Sequence, residues 1–467
     1  MKKILLLPVF SLALTASATI HPVGPTQFYV SPNALYVAGV VQTGDTIDID
    51  AATYTGTACL AAWQPDNLYI RGVGGRPHLV AAGAYILCKG IWVFVGDNIS
   101  VNNIEFSGAA VPDHNGAGIR LDGTGMTARY CYFHDNENGI LTSNPYAGDI
   151  VIEYCEFAYN GYGDGFTHNL YIGHVHSLLF TYNYSHHTDV GHNLKSRADE
   201  NYIAYNRIMD EETGNSSRLI DLPNGGLALV VGNLLMQGVD AENNNLLGYG
   251  LEGLSNTPPH ELYANNNTFV NKRVQSCLFV SVTSGTTAAE VTNNIFGGTG
   301  TLTNGPVTLT TNLVETDIPT LAFFDEPNYD YRLTVNSPAI NIGSALGLVN
   351  GIPLTPNRAY LHPTGSEARV MENTIDVGAY EYNSPVGISG FENKDILVFP
   401  NPTSGKLWID IKDGIPEELR IHDSFGRLVH TQTASLQMDV SELDSGVYRL
   451  SVERAGGAVS IQQIIKY

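Results

Sequence analysis

The stretch Ala128-Arg-Tyr-Cys131-Tyr-Phe133, followed by the closely similar Ile152-Glu-Tyr-Cys155-Glu-Phe157, decides the fold of this chain. Variants of the same six-residue pattern occur at 101–106, 180–185, 203–208, 230–235, 264–269 and 291–296. The fourth position advances by 27, 24, 28, 23, 27, 34 and 27 residues along the series, which is typical of a solenoid. Apolar and polar residues alternate within each unit, so the pattern predicts a strand in each repeat, and no amphipathic helix separates the units.

Strands that recur without crossover helices can bury their faces by coiling into a parallel β-helix, in which each repeat forms one coil. Asparagine occupies the fourth position in five successive repeats, at Asn183, Asn206, Asn233, Asn267 and Asn294. Equivalent residues of adjacent coils lie about 4.8 Å apart. We therefore expect these asparagines to stack at a bend and to hydrogen-bond each other and the turn backbone, as a structural ladder.

The start of the chain and its charge indicate an exported protein that does not bind nucleic acid. Residues 1–18 combine a basic start, an apolar run and the sequence Ala16-Ser-Ala18, which predicts a signal peptide cut after Ala18. The net charge of −22 argues against nucleic acid as a partner. It also means that an anionic substrate needs a local basic patch. We expect a monomer.

The cysteines do not indicate catalysis. Because there are five, at least one is unpaired. Cys131 and Cys155 occupy the same ladder position one coil apart, and Cys59 and Cys88 are 29 residues apart. Two interpretations stay open, buried free thiols or disulfides within these two pairs.

The chain is predicted to be all-β and divides into several segments. Residues 19–310 form the β-helix, 311–382 close it, and 383–392 form a linker of small residues. Beyond the linker, residues 393–467 contain short strands separated by turns, which predicts a small C-terminal β-sandwich.

Two parts of the chain resemble known families. Pro400-Asn-Pro402 with Gly405, Leu443-Asp-Ser-Gly-Val-Tyr448 and the final Ile465-Lys466-Tyr467 resemble the C-terminal sorting domain of the Bacteroidota type IX secretion system. This resemblance implies a tag that the type IX secretion machinery binds, without a catalytic role, and a protein that is secreted or anchored at the cell surface.

The second resemblance concerns the repeats. Asn102-Asn-Ile-Glu-Phe-Ser-Gly108 and the regular coils after it resemble the pectate-lyase-like superfamily of right-handed parallel β-helices. Residues 323–381 resemble the closing segment of exported members, in which the last strands and loops cover the open end of the coil. The superfamily includes lyases, epimerases, hydrolases and adhesins, so the resemblance implies a fold and not an activity.

A second strand series carries the candidate functional residues. Its apolar residues Ile119, Ile140, Leu170, Leu194 and Leu219 align as one inward column. Side chains alternate between the two faces of a strand, so the flanking residues are expected to point outward. These flanking residues are Arg120, Asn169, Tyr171, Asn193, Lys195, Arg197 and Arg218. Tyr171 and Lys195 are 24 residues apart, which is one coil, and should lie side by side.

This concentration of cations, Tyr171 and the histidines His168 and His192 fits chemistry on uronic acids. Removing the proton at C5 requires a neutralised carboxylate and a base, and elimination also requires a proton donor. Lys195 is the expected base, because repulsion from Arg197 and Arg218 favours its neutral amine.

The other roles follow from this assignment. Tyr171 or His192 is the expected acid, with His168 as a further catalytic candidate. Arg197 and Asn193 would clamp the substrate carboxylate, and Asn169, Arg218 and Arg120 would extend the binding surface. An outward Lys195 should contribute only about 0.5 kcal/mol or less to stability.

Other interpretations stay open. Asp164 and Asp189 precede the histidines closely enough to help bind a cation such as Ca²⁺, although a solvated acidic turn is the favoured interpretation. The leading hypothesis is a lyase for an acidic polysaccharide. A C5-epimerase would use almost the same residues, and a non-catalytic adhesive protein would use the basic patch only for binding. A hydrolase would need paired carboxylates, which the outward columns do not contain.

Overall fold

The computed structural model describes residues 18–382, 396–399, 401, 403–411, 416–423, 427–433, 435–453 and 459–466. The chain divides into two compact units, Met1–Tyr382 and Asn383–Tyr467. Residues 1–17 of the predicted signal peptide and the predicted linker 383–392 lie outside the described residues. In the described part of the chain, no helix is long and apolar enough to span a bilayer.

The first unit is a parallel β-helix built from three long parallel sheets, which confirms the predicted fold. Sheet 1 consists of Ile20–Val23, Thr46–Asp50, Tyr69–Val73, Ile99–Asn102, Met126–Arg129, Asp149–Glu153, Ser177–Thr181, Glu200–Ala204, Leu227–Val231, Glu261–Asn265, Ala288–Thr292 and Thr308–Thr310. Sheet 2 consists of Thr53–Thr55, His78–Val80, Glu105–Ser107, Tyr132–His134, Glu156–Ala158, Tyr184–His186, Arg207–Met209, Leu234–Gln237, Thr268–Asn271, Ile295–Gly297 and Leu313–Glu315. Sheet 3 consists of Ala61–Trp63, Gly90–Phe94, Ala117–Leu121, Asn138–Thr142, Leu170–Ile172, Leu194–Ser196, Ile220–Leu222, Asn245–Tyr249, Cys277–Val282 and Gly300–Asn304.

Inward side chains of the three sheets form one continuous core along the coil axis. Phe106, Phe133 and Phe157 stack in sheet 2 at centroid distances of 5.0 Å and are fully buried. Burying one such side chain stabilises the fold by roughly 1.5–3 kcal/mol. The apolar alternation of the sequence therefore corresponds to a repeated column of the core.

A helix that the repeat pattern did not predict packs against the first coils. It spans Pro32–Ala38, with Ser31 Oγ accepting a hydrogen bond from Ala34 N as an N-cap. Leu35 is buried in the core, and Tyr36 packs edge to face on Trp63. The other described residues include three short 3₁₀ helices, at Gly56–Cys59, Ile318–Leu321 and Glu326–Asn328.

The predicted asparagine ladder lies at the bend between sheets 1 and 2. Each amide donates to the next side-chain oxygen, with Asn206 Nδ2 to Asn233 Oδ1 at 2.9 Å and Asn233 Nδ2 to Asn267 Oδ1 at 2.9 Å. The same Asn233 amide donates to the carbonyl of Ile203, and its oxygen accepts from the backbone N–H of Asn206. These fully buried contacts confirm the structural role expected of the repeat.

A second ladder at the bend between sheets 2 and 3 corrects one expectation. Asn136, Asn160, Asn169 and Asn193 donate to one another in that order over 2.8–3.1 Å, and all four are buried. The prediction that Asn169 and Asn193 point outward is therefore wrong. They precede the three-residue strands Leu170–Ile172 and Leu194–Ser196, and the bend turns their side chains inward.

All five cysteines are free thiols, so the proposed disulfides do not form. Cys131 and Cys155 are adjacent in the buried ladder column, as expected, with Cys155 Sγ 3.4 Å from the Cys131 N–H. Cys155 N in turn donates to Asn183 Oδ1 at 2.8 Å, so the thiols continue the asparagine ladder into earlier coils.

The segment 311–382 packs along the outside of the coil, rather than only across its end as expected. Its antiparallel strand pairs are Phe323–Asp325 with Asp330–Leu333, Leu348–Val349 with Ile352–Pro353, and Arg358–Leu361 with Gly365–Ala368. Tyr331 and Tyr360 share one buried cluster with Tyr184 and Met236 on the outer face of sheet 2. Leu354 packs similarly on the outer face of sheet 1.

The described residues of the second unit form two antiparallel sheets, as predicted for a β-sandwich. One consists of Ile396–Phe399, Lys406–Ile411 and Gln437–Asp439, and the other of Glu418–His422, Leu428–Thr433, Gly446–Glu453 and Val459–Lys466. Leu407 and Ile409 of the first sheet share a buried cluster with Leu419, Leu450 and Val452 of the second. The unit therefore has a core of its own.

Candidate functional site

The candidate site lies on the outer face of sheet 3. Tyr171 pairs with Lys195 in the parallel register between Leu170–Ile172 and Leu194–Ser196, which confirms the predicted juxtaposition. Lys195 Nζ and the Arg197 guanidinium lie 5.8 and 5.7 Å from the centroid of the Tyr171 ring. Arg197 Nε donates a 2.8 Å hydrogen bond to Tyr171 Oη. Two cations thus lie against one phenol.

The predicted register is wrong by one residue at the next coil. Leu194 pairs with Ile220, whereas the sequence alignment matched it with Leu219. Consequently Asp221 pairs with Lys195 and extends the outward column of Tyr171. The alignment assigned the wrong residue because Leu219 and Ile220 are both apolar, so alternation does not separate them.

Asp221 and Glu252 are the functional candidates that the sequence interpretation missed. Glu252 Oε1 accepts from Lys195 Nζ at 2.9 Å, and its Oε2 accepts from Arg197 Nη2 at 2.6 Å. Asp221 Oδ2 lies 3.5 Å from Lys195 Nζ, and Asp221 Oδ1 accepts from Arg218 Nη1 at 3.3 Å. Arg197 Nη1 also donates to Asn224. No local sequence pattern indicates Glu252, which is 57 residues from Lys195.

These carboxylates change the electrostatics expected from the sequence. The sequence interpretation placed only cations around Lys195, whereas Asp221 lies between Lys195 and Arg218, and Glu252 lies between Lys195 and Arg197. Burial raises the pKa of Asp221, against the opposing effect of Arg218 and Lys195. Burial would also raise the pKa of Glu252, but hydrogen bonds from Lys195 and Arg197 outweigh it and lower that pKa.

The two histidines are neutral and stacked beside this cluster. Their rings lie 4.9 Å apart and nearly parallel. His168 Nδ1 accepts from the His192 N–H at 3.0 Å, and His192 Nδ1 accepts from the Arg218 N–H at 3.1 Å. Burial lowers the pKa of His168 to about 3 and also holds the pKa of His192 well below its usual value. Each ring therefore carries its proton on Nε2, and His192 Nε2 faces Asp221 Oδ2 at 3.5 Å.

A cleft of about 380 Å³ continues the site toward earlier coils. Tyr171 lines one end, and Arg120, Lys89 and Phe166 line the remainder. Arg120 Nε and Lys89 Nζ both bind Asp122, at 2.9 and 3.0 Å. The Phe166 side chain is 83% exposed, so an apolar ring stands at the edge of a polar cleft. Such an arrangement suits a sugar, which offers both hydroxyl groups and an apolar ring face.

The proposed cation ligands Asp164 and Asp189 each make hydrogen bonds to different partners. Asp164 Oδ1 accepts from the N–H groups of Phe166 and Thr167, at 2.8 and 3.2 Å, and so caps its own turn. Asp189 Oδ1 accepts from Asn215 Nδ2 at 3.0 Å. Within the described ranges, neither aspartate belongs to a group of three His, Cys, Asp or Glu side chains with ligand atoms within 4.8 Å.

Comparison with known proteins identifies the C-terminal unit. Residues 397–466 match the family described as the secretion system C-terminal sorting domain. This confirms the type IX sorting domain and indicates that the protein is secreted and attached to the cell surface. No curated protein is significantly similar to the chain. Fold and tail together define an exported, surface-attached parallel β-helix protein that interacts with the type IX secretion machinery.

Proposed function

We propose that the outer face of sheet 3 binds an acidic polysaccharide and cleaves it by β-elimination. The observation that carries this proposal is the contact of Tyr171 with both Lys195 and Arg197 at the end of a cleft. A phenol between two cations is suited to proton transfer, because the cations stabilise negative charge that develops on its oxygen.

The contacts around Glu252 support a substrate that carries carboxylates. One Glu252 carboxylate bridges Lys195 Nζ and Arg197 Nη2, so these two cations accommodate a carboxylate between them. The Glu252 side chain is 46% exposed and can give way to a uronate carboxylate. Arg197 would then neutralise the charge of the substrate, which lowers the barrier to removing the adjacent C5 proton.

The hydrogen bonds favour an exchange of the two roles expected from the sequence. Lys195 Nζ donates to Glu252, and in the proposed reaction its ammonium form acts as the acid. Tyr171 Oη accepts from Arg197 Nε, so the guanidinium is placed to stabilise negative charge on this oxygen. In the proposed reaction Tyr171 first loses its hydroxyl proton to solvent, and the phenolate takes the C5 proton. The C4–O bond breaks, the Lys195 ammonium protonates the leaving oxygen, and a C4–C5 double bond forms.

The test is turnover of a panel of uronate polymers, followed by the ultraviolet absorbance of the unsaturated product. Tyr171→Phe should lower the rate by about 10²–10⁴-fold, the usual contribution of one proton-transfer group. Tyr130→Phe is the matched control, because Tyr130 is a half-exposed tyrosine that stacks on Tyr154, away from the cleft. Unchanged turnover in Tyr171→Phe would reject its role as the base.

Other outcomes would identify the alternatives. Exchange of the C5 proton with solvent, without chain cleavage, would indicate a C5-epimerase. Salt-sensitive binding that is lost in Arg197→Ala, without turnover of any polymer, would indicate an adhesive protein.

Hydrolysis is a second candidate function, because the pKa values of Asp221 and Glu252 shift in opposite directions. Carboxyl groups with divergent pKa values are typical of acid and base pairs. New reducing ends without an unsaturated product would favour hydrolysis over elimination.

A further inference from the structure

A cluster of potential metal ligands lies on the outer face of sheet 2, away from the candidate site. His78, Glu105 and His134 come from three successive coils, in the strands His78–Val80, Glu105–Ser107 and Tyr132–His134. His78 pairs with Glu105, and Ser107 pairs with His134, so the three side chains project from one small area. All three are half-buried, which leaves solvent access to the cluster.

The distances in this cluster match those between ligands of one metal ion. Glu105 Oε1 lies 3.4 Å from His78 Nε2 and 3.1 Å from His134 Nε2, and the three ligand atoms lie within 4.8 Å of one another. Zinc binds nitrogen and oxygen ligands at about 2.0–2.2 Å in a tetrahedron, which places neighbouring ligand atoms about 3.3–3.6 Å apart. Small side-chain rotations would therefore direct all three atoms to a common centre.

One ligand is already oriented by a second carboxylate. Asp135 Oδ2 lies 2.6 Å from His134 Nδ1, so this carboxylate holds the ring with Nε2 directed toward Glu105 Oε1, where Nε2 can serve as the metal ligand. Hydrogen bonds of this kind from a carboxylate to the distal nitrogen are usual for metal-bound histidines. The ring of Tyr132 stacks on the His134 ring at 4.3 Å and further fixes its plane.

We propose that His78, Glu105 and His134 bind a divalent transition-metal ion of the zinc type and so connect three consecutive coils. Two imidazoles and one carboxylate suit zinc, whereas Ca²⁺ and Mg²⁺ prefer sites made entirely of oxygen ligands. Three protein ligands leave a fourth position for water. His78 Nε2 also lies 2.7 Å from Ser107 Oγ, and this hydrogen bond opens when the metal binds.

The position of the cluster gives the metal a structural role. The closing segment packs on the outer face of sheet 2 at Tyr184 and later coils, in contact with residues such as Met209 and Ile295. His78, Glu105 and His134 lie in earlier coils, and among the described residues the buried apolar cluster of the closing segment contains no residue of the sheet 2 strands before Tyr184. A metal ion bound there would connect coils that lack the buried apolar contacts made by the closing segment.

The test is calorimetric titration of the purified, metal-free full chain, without an affinity tag, with ZnCl₂ and separately with CaCl₂. We expect one equivalent of Zn²⁺, no comparable Ca²⁺ binding, and a higher thermal unfolding midpoint in the presence of Zn²⁺. Glu105→Gln and His134→Gln should weaken Zn²⁺ binding by more than 10-fold and remove the shift in the midpoint. Asp135→Asn should weaken it by about 10–100-fold through the orientation of His134.

A matched control and a second measurement keep the test decisive. His176 is an exposed histidine that hydrogen-bonds to Asp149 at 2.8 Å, and His176→Gln should bind Zn²⁺ normally. In the wild-type protein, Zn²⁺ should protect His78 and His134 from modification by diethylpyrocarbonate without protecting His176. This second measurement does not depend on the folding of any variant. Absence of Zn²⁺ binding in the wild-type protein, or undiminished binding in Glu105→Gln, would overturn the proposal.

Discussion

Replacing Lys195 by methionine tests whether the cation–carboxylate cluster is part of the folded framework. The Lys195 side chain is only 11% exposed, and that of Asp221 is 1% exposed. Methionine keeps an unbranched stem of similar length and removes the charge. Glu252, about half exposed, can return to water, whereas Asp221 keeps only Arg218 Nη1 at 3.3 Å as a close cation.

The expected loss of stability follows from these contacts. Removing one partner of a fully buried ion pair costs about 3–5 kcal/mol, since the remaining charge is left buried. Arg218 still faces Asp221, and the contact from Lys195 is long at 3.5 Å, so we expect a smaller loss of about 1–3 kcal/mol. This exceeds the 0.5 kcal/mol or less expected for an outward lysine, because Lys195 is largely buried.

A double-mutant cycle isolates the interaction. In Lys195→Met/Asp221→Asn the buried carboxylate is absent as well, so most of the loss should be recovered. Urea unfolding followed by circular dichroism measures all four proteins, with comparison restricted to variants of equal m-value. A coupling free energy within about 0.5 kcal/mol of zero would refute the reasoning, because distant and independent sites show that additivity.

The pH dependence supplies an independent check of the same interaction. Burial raises the pKa of Asp221 in the folded state. A raised pKa stabilises the folded protein below the unfolded pKa, and this contribution disappears as the pH rises through the folded value. Loss of Lys195 should raise the pKa of Asp221 further. The stability deficit of Lys195→Met should therefore shrink as the pH falls toward 4.

Three further predictions concern other parts of the β-helix. Burial raises the pKa of Asp210 from 3.8 to about 6, so its stabilising effect is complete below about pH 4 and disappears as the pH rises through about 6. The free energy of unfolding is measured in urea for Asp210→Asn and for wild type. The variant value minus the wild-type value should rise by up to about 3 kcal/mol as the pH increases from 4 to 8. A difference that does not change with pH would contradict this. Asn233→Ala removes buried hydrogen bonds to the backbone of Asn206 and Ile203 and should cost about 2–5 kcal/mol in the same assay, whereas a loss below about 0.5 kcal/mol would argue against the ladder. Cys88 is the exposed thiol of the five cysteines and lines the cleft. A thiol reagent applied to the native protein should therefore modify Cys88 alone, as detected by mass spectrometry, and a bound oligosaccharide should slow this reaction. Fast labelling of a second cysteine would contradict the burial of the other four.

The repeat pattern predicted the fold well because it marks positions that each coil must fill. Asn206 and Asn233 occupy equivalent points in coils of different length, and each satisfies the same backbone groups at a bend. Phe133 and Phe157 likewise occupy equivalent points in adjacent coils, where their rings stack in the core. Such positions remain recognisable however long the intervening loops are, since loops of variable length leave the register of the strands unchanged.

The candidate site was predicted less completely for two physical reasons. Strict alternation describes residues within a strand, and Asn169 lies just outside one, where the bend reverses the direction of its side chain. Glu252 reaches Lys195 from a loop one coil beyond Asp221, and nothing in the local sequence specifies where a loop folds. Tyr171, Lys195 and Arg197 were placed correctly because all three follow from a single strand pairing.

The distribution of covered surface supports the proposal that the binding site lies on sheet 3. From the coil of Tyr184 onward, the closing segment buries apolar residues on the outer face of sheet 2, and Leu354 buries those on sheet 1. Sheet 3 contributes no residue to either of these clusters among the described residues, and its outward column carries Tyr171, Lys195 and Asp221 instead. Keeping so many charges together is costly unless they are mutually paired. The pairing observed here reduces that cost, and Glu252 is the half-exposed carboxylate of the cluster, which the proposed acidic substrate would replace.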